Sequence, residues 1–159
     1  MSLFSAFQIA GSGATAQGQR LNVVASNLAN ADSAAGPDGQ AYKARQVVFE
    51  AMPMAGGSQG PDAQGVRVQQ VTTDNSPPRR VHDPKNPLAD ADGYVSLPNV
   101  SVAEEMVNMI SAARGYENNI EVMNTAKSLL QKILGPVSDQ GRYERLGWVG
   151  AANTNRRKS

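Results

Sequence analysis

Apolar residues recur along the first thirty positions of the chain in alternating steps of four and three. The row contains eight apolar residues and one glutamine: Leu3, Phe7, Ala10, Ala14, Gln17, Leu21, Val24, Leu28 and Ala31. This heptad spacing places every member on one side of an α-helix. The pattern therefore predicts a helix over residues 3–31, softened near Gly11 and Gly13 because glycine is a poor helix former.

A second row with the same spacing lies near the other end of the chain. It contains one charged residue among apolar ones: Val102, Met106, Met109, Ala113, Tyr116, Ile120, Met123, Lys127, Leu130 and Leu134. Ser101 and Glu104 fit a capping box, which predicts the start of this helix. Gly135 and Pro136 predict its end. Neither helix is apolar on all sides, so each needs a partner, and we expect the two rows to pack against each other.

The middle of the chain consists of short apolar segments separated by Pro and Gly clusters. The segments lie at residues 40–50, 66–68, 81 and 94–97. Their alternating pattern predicts a small antiparallel unit of three to five strands. Asp92 and Gly93 predict a hairpin turn with positive φ at the glycine. The glycine-rich residues 55–62 predict a flexible loop.

These patterns predict an α+β fold, in which two long terminal helices pair as a coiled-coil-like hairpin beside a small antiparallel β-rich middle segment. We divide the chain into an N-terminal helix (1–34), a β-rich middle segment with flexible loops (35–98), a C-terminal helix (99–134) and an irregular basic tail (135–159). We assign no role to the tail.

Composition removes several classes of function. The chain has 159 residues, and its 15 Lys and Arg face 14 Asp and Glu. That balance argues against a nucleic-acid-binding protein, which needs a basic surface. Cysteine is absent, which excludes disulfides and thiol nucleophiles, and His82 is the only histidine. We therefore expect no cofactor, no metal site and no small-molecule substrate.

Three short motifs resemble catalytic or phosphate-binding elements, but each lacks its context. Gly11-Ser12-Gly13 follows no strand, as a phosphate loop would require. Ser58 lies in a G-x-S-x-G pattern with no helix signal after it. His82 beside Asp83 is typical of a loop histidine that makes an ordinary hydrogen bond. The sequence therefore predicts no catalytic residue and a protein that is not an enzyme.

A two-helix hairpin would leave apolar side chains beside each row partly uncovered, namely Phe4, Ile9, Val23, Ile110 and Ile133. Side-by-side packing of many such hairpins would cover them, which favours a subunit of a polymer. The alternative is a soluble coiled-coil adaptor or an export chaperone that binds one partner transiently.

Several segments resemble bacterial flagellar rod and hook proteins. Residues 22–32, Asn-Val-Val-Ala-Ser-Asn-Leu-Ala-Asn-Ala-Asp, are similar to the N-terminal signature of that family. Further similarity, to proximal rod members, lies in residues 83–89, 93–95, 98–100, 104–109 and 113–119. The resemblance covers residues 3–134. It implies terminal helices that pair and line an inner tube, with the β-rich part outside.

The resemblance also implies a function, partners and a location. The function is that of a structural subunit of the proximal rod, which polymerises into the drive shaft that transmits motor torque. The partners are copies of this chain, other rod proteins, the junction of the rod base with the MS ring, the distal rod and the flagellar type III export apparatus. The location is the periplasmic rod, reached by export from the cytoplasm without a cleaved signal peptide.

We expect the assembly interface to involve the two rows and the signature amides. Asn22, Ser26, Asn27 and Asn30 have helical spacing, and short polar side chains of this kind bond to neighbouring helices or cap a helix end. The predicted interface residues are Leu3, Phe7, Leu21, Asn22, Val24, Ser26, Asn27, Leu28, Asn30, Met106, Met109, Tyr116, Asn119, Ile120, Met123, Leu130 and Leu134.

Overall fold

The fold, seen in a computed structural model, combines two long helices with two small antiparallel sheets. The structure describes residues 3–35, 40–54 and 64–147, with side chains up to residue 135. The elements in chain order are α1 (Leu3–Ala29), β1 (Arg45–Pro53), β2 (Gln64–Thr73), β3 (Arg79–His82), β4 (Tyr94–Leu97) and α2 (Val102–Gly147). The predicted α+β class is confirmed.

The two helices pack against each other in antiparallel order. Gly11 lies opposite Met123, Gly13 opposite Asn119, and Gln17 opposite Gly115. On α1 the packed side is the predicted one, since every member of the first row is buried or half-buried. Small residues dominate the most buried positions of α1, which lets the helix axes approach closely.

The buried side of α2 differs from the predicted one. Among residues 102–135, its buried positions are Glu105, Ala112 and Ala126, each one residue before a member of the apolar row. Several members of that row are exposed instead: Val102, Met106, Tyr116, Lys127 and Leu134. The prediction that the whole apolar row of α2 faces α1 is therefore wrong. A shift of one residue turns a helix by about 100°, so the small and polar residues face α1.

The end of α2 also differs from the prediction, because the helix continues through Gly135 and Pro136 to Gly147. The first part of the predicted irregular tail is therefore helical. A proline inside a helix removes one backbone hydrogen bond, the one its missing N–H would donate, and leaves the other bonds available. The prediction that α2 ends at Gly135 gave too much weight to that one lost hydrogen bond.

The middle segment forms two separate two-stranded antiparallel sheets, β1–β2 and β3–β4. The described residues thus contain four strands, within the predicted range. The pairing shifts register between Val48 and Phe49 of β1, where β2 has one extra residue, Gln69. The β1–β2 sheet contacts α1 through both of its strands. The predicted flexible loop at 55–62 lies outside the described residues.

The β3–β4 hairpin confirms one prediction about its turn and corrects another. Gly93 has φ of 79°, the positive value predicted for it. His82, however, is the last residue of β3 and pairs with Tyr94, so its predicted position in a loop is wrong. The two rings meet edge to face with centroids 5.0 Å apart.

Candidate assembly surface and the amide clasp behind it

Asn27 forms a clasp that joins α1 to β1 and to α2. Its side chain is fully buried. The Nδ2 atom donates to the Arg45 carbonyl at 2.8 Å and to Oε2 of Glu105 at 3.0 Å. The Oδ1 atom accepts from the Arg45 N–H and from the Tyr42 hydroxyl, both at 3.0 Å. Both amide hydrogens and both lone pairs are therefore used, which makes the burial of this polar group favourable.

The clasp continues along the helix pair through a buried carboxylate. Oε1 of Glu105 accepts a hydrogen bond from Nδ2 of Asn108 at 3.2 Å. Oδ1 of Asn108 in turn accepts from the Arg20 guanidinium at 3.2 Å. A charged group can be buried when it is well hydrogen-bonded, as Glu105 is through two amides. The network therefore ties α1 to the first two turns of α2.

The side-chain amide of Asn99 fixes the segment that leads into α2. Nδ2 of Asn99 donates to the carbonyl of Asp74 at 3.1 Å and to that of Ser76 at 3.2 Å. Its Oδ1 accepts from the N–H of Ala44 at 2.8 Å. Val100 is buried beside Ala44 in a small apolar cluster. These contacts fix the point at which α2 begins.

The start of α2 shows one half of the predicted capping box. The Glu104 N–H donates to the Ser101 hydroxyl at 3.5 Å, and the Glu105 N–H donates to the Ser101 carbonyl at 2.9 Å. Glu104 and Glu105 lie in the first turn, where carboxylates interact favourably with the positive end of the helix dipole.

An exposed apolar surface lies along the first half of α2. We call Val102, Met106, Val107 and Ile110 the α2 surface. Their exposed fractions lie between 43% and 66%. The steps of four between 102, 106 and 110 place them on one side of the helix. A contiguous apolar row of this kind is typical of a surface that packs against another protein.

A second exposed apolar group lies where α1 begins. The antiparallel register places the start of α1 near Leu129, so Ile133 and Leu134 extend past it. Phe4 is 63% exposed at the same end of the hairpin. Leu129 is also exposed, so four large apolar side chains of the described residues are uncovered at this end.

The predicted interface residues fall into three groups in the structure. Val24 and Asn27 are buried within the chain, so they stabilise its own fold. Five are exposed: Asn22, Ser26, Met106, Tyr116 and Leu134. The remaining ten are half-buried: Leu3, Phe7, Leu21, Leu28, Asn30, Met109, Asn119, Ile120, Met123 and Leu130. Their role between subunits stays a prediction.

The two roles predicted for the signature amides both occur. Asn27 bonds to the neighbouring helix through Glu105, and Nδ2 of Asn30 donates to the Ser26 carbonyl at 2.8 Å, at the end of α1. The sequence analysis missed Glu105 and Asn108, because on α2 it searched for the packed side among apolar residues only. The signal that could have found them is their spacing with Ala112, Gly115 and Asn119, which repeats the heptad with small and polar residues.

The described part of the chain offers no obvious place for a metal. Within it, no group of three or more His, Asp or Glu side chains is close enough to hold an ion. His82 and Asp83 are both exposed, and Ser58 lies outside the described residues. None of the described helices combines the length and the apolar character that crossing a membrane requires.

Two segments match known families. Residues 7–37 match a family described as "Flagella basal body rod protein". Residues 91–135 match one described as "Flagellar basal body rod FlgEFG protein C-terminal". Both are families of flagellar basal-body rod proteins, and they cover most of α1 and the first three-quarters of α2.

Similarity to individual proteins extends over most of the chain. The flagellar basal-body rod protein FlgC of Yersinia enterocolitica is 58% identical over 134 residues, which are 84% of this chain and 97% of the relative. FlgC of Salmonella typhimurium is 54% identical over the same shares of both chains. FlgC of Borreliella burgdorferi is 40% identical over 147 residues. The chain belongs to the FlgC family of flagellar basal-body rod proteins.

The resemblance to flagellar rod proteins that the sequence indicated is thus confirmed. The relatives' shared name supports a structural subunit of the basal-body rod that assembles with other rod components. It does not favour a soluble adaptor or an export chaperone.

Proposed function

We propose that this chain is a structural subunit of the proximal part of the rod, and that it polymerises with other rod proteins into the shaft that transmits motor torque. The observation that carries this proposal is the α2 surface. Its four apolar side chains are exposed in the single chain, so burying them against neighbouring subunits would favour assembly.

In this proposal the helix pair forms the coiled-coil-like inner layer of the shaft, and the β1–β2 and β3–β4 hairpins lie outside it. The clasp at Asn27 supports that division. It fixes β1 to the helix pair with bonds to both polar backbone groups of Arg45. A subunit under load needs its inner and outer parts joined rigidly.

The partners and the route follow from the same proposal. Copies of this chain and other rod proteins would cover the α2 surface and the apolar end at Phe4 and Ile133. The junction with the MS ring and the distal rod would lie at the two ends of the polymer. The chain would reach the periplasm through the flagellar type III export apparatus, without a cleaved signal peptide.

The proposal is tested by placing a charge on the α2 surface without disturbing the fold. Ile110→Asp changes a side chain that is 55% exposed, and Val107→Asp one that is 66% exposed. We expect both variants to be produced at normal level and to keep the far-UV circular dichroism of the unchanged protein. Strains that carry them should assemble no rod and lose swimming, because an unpaired carboxylate would be buried between subunits.

Val71→Asp is the matched control, since Val71 is 49% exposed on β2, away from the α2 surface. A strain with this control should still swim. Normal swimming of the Ile110→Asp strain, or equal loss in the Val71→Asp strain, would contradict an assembly role for the α2 surface.

A further inference from the structure

Two glycines and two amides meet at the centre of the helix pair. A Cβ atom added to Gly13 would lie 2.6 Å from Oδ1 and 2.9 Å from Cγ of Asn119, closer than side chains approach. A Cβ atom added to Gly115 would lie 3.1 Å from Cδ of Gln17. Each amide side chain therefore lies directly over the glycine of the opposite helix.

The arrangement is reciprocal. Gly13 and Gln17 are four residues apart on α1, and Gly115 and Asn119 are four residues apart on α2, so each pair lies on one side of its helix. Antiparallel packing then brings each amide over the other helix's glycine. Nδ2 of Asn119 donates to the Gly115 carbonyl at 2.7 Å, which fixes the orientation of that amide.

We propose that Gly13, Gln17, Gly115 and Asn119 form a register lock that selects one antiparallel alignment of α1 and α2. The apolar row of α1 repeats every seven residues, so apolar packing alone would also permit alignments displaced by one heptad. The lock does not repeat every seven residues, because Asn119 needs a glycine at position 13 and Gln17 needs one at position 115.

In the displaced alignments, Gln17 and Asn119 would no longer lie opposite glycines. A displacement by one heptad would move Asn119 from Gly13 to Ala6 or Arg20. The same displacement would move Gln17 from Gly115 to Asn108 or Val122. All four of those residues carry side chains where the amide needs open space. Only the observed alignment gives both amides a glycine.

The register matters because it decides which turns of α2 lie beside α1, and so whether Asn27 can reach Glu105. It also gives a role to Gly11-Ser12-Gly13, the segment whose glycines appeared to weaken α1. Gly13 admits Asn119, and the Ser12 hydroxyl accepts the Val66 N–H of β2 at 3.1 Å. The consequence for swimming rests on the proposed function, whereas the alignment itself does not.

The lock is tested first by measuring how the melting temperature falls and recovers among alanine variants. Alanine is a better helix former than glycine, so Gly13→Ala would raise the melting temperature if the added methyl group met no steric clash. We expect instead a fall of about 5 °C, since the added Cβ meets Asn119. The double variant Gly13→Ala with Asn119→Ala should recover most of this loss, because removing the amide makes room for the methyl group.

Gly18→Ala is the matched control on the same helix. A Cβ atom there would make only ordinary contact, 4.0 Å from the Tyr116 ring. Its melting temperature should be unchanged or higher. Equal behaviour of the Gly13 and Gly18 variants, or a double variant no more stable than Gly13→Ala, would overturn the lock.

The alignment is measured directly by electron spin resonance distances. The chain has no cysteine, so Thr15→Cys and Glu117→Cys introduce the only two labelling sites, both at exposed positions outside the lock. A displacement of one heptad moves the helices by about 10 Å relative to each other. We expect one narrow distance in the otherwise unchanged chain, a displaced or broadened one with Gly13→Ala, and recovery in the double variant.

These readouts separate the lock from the proposed function. A broad distance distribution in the chain with Gly13 and Asn119 intact would overturn the lock, whatever the swimming assay shows. A narrow distance that Gly13→Ala displaces would support it, even if Ile110→Asp strains swim normally and the assembly role of the α2 surface fails.

Discussion

The inner sides of α1 and of the first half of α2 are built from different residue types. Along α1 the buried positions include Ala10, Ala14 and Val24, and the uncovered ones are mostly polar. Along the first half of α2 the buried positions are Glu105 and Ala112, whereas Met106 and Ile110 face outward. Thus α1 uses its apolar side within the chain, whereas the start of α2 leaves the four apolar side chains of the α2 surface uncovered.

The difference shows that α2 places its most buried positions and its exposed apolar side chains on different residues. At the start of α2, Glu105, Asn108 and Ala112 pack against α1, without the four side chains of the α2 surface. In the proposed rod, those four side chains would pack against a neighbouring subunit.

The largest effect is expected from removing the Asn27 side chain, through which α1 is hydrogen-bonded to α2. Asn27→Ala would leave the Arg45 backbone groups, the Tyr42 hydroxyl and one Glu105 oxygen without a protein partner. We expect a loss of about 3 kcal/mol in the free energy of unfolding, because each buried unpaired group costs about 1–3 kcal/mol. Urea unfolding followed by circular dichroism measures it.

Asn22→Ala is the control for this change, since Asn22 is exposed on the same helix. Its effect should stay within about 0.5 kcal/mol. An Asn27 variant as stable as the Asn22 variant would show that the clasp does not hold the fold.

A smaller loss of stability is expected from changing the buried carboxylate of Glu105. Glu105→Gln keeps the shape but replaces one acceptor oxygen with an NH₂ group, which would face the NH₂ group of Asn27 or Asn108. We expect a loss of about 1–2 kcal/mol in the same unfolding measurement. Glu104→Gln, one residue earlier and exposed, should change stability by at most about 0.5 kcal/mol. Equal effects at 104 and 105 would refute the difference between the two sides of α2.

The smallest expected effect is a pH dependence confined to the β3–β4 hairpin. The Tyr94 N–H donates to the Asp90 carboxylate and holds the pKa of Asp90 below its ordinary 3.8, with help from Arg80 and the Asp92 N–H. A lowered pKa means that the ionised form stabilises the fold. This stabilisation is fully present above pH 3.8 and is lost as the pH falls through the lower folded value.

Amide hydrogen exchange measures that effect residue by residue. Protection of the Tyr94 and Asp92 amides should fall below pH 3.8, after correction for the intrinsic exchange rate. The Arg45 amide, held by the neutral Asn27 side chain, should keep its protection over the same range. A parallel loss at Arg45 would mean that the hairpin and the clasp open together.

The accuracy of prediction from the sequence varied with the kind of residue involved. The row on α1 and the positive φ of Gly93 were predicted correctly, because apolar spacing and glycine geometry act locally. The amides of Asn27 and Asn30 were recognised as a signature with two possible roles. The partners of Asn27 could not be predicted, since Tyr42 and Glu105 approach it only through the tertiary fold.

The two errors on α2 have a common cause. The one-residue error in its buried side came from weighing Met106 above Glu105, because a hydrophobic scale ignores a carboxylate that is satisfied by amides. The error at Pro136 came from weighing one lost bond above the many that remain in a helix of 46 residues. Both predictions used single-residue preferences where the sum over many contacts decided the outcome.

The attachment of the β1–β2 hairpin to α1 has a mechanical consequence. Ser12 holds β2 through the Val66 N–H, and Asn27 holds β1 through Arg45. These anchors are fifteen residues apart on α1, a distance of about 22 Å along the helix. Because the hairpin is attached to α1 at two separated points, it cannot rotate about either of them. A lateral force on the hairpin is therefore transmitted to α1 as a bending force.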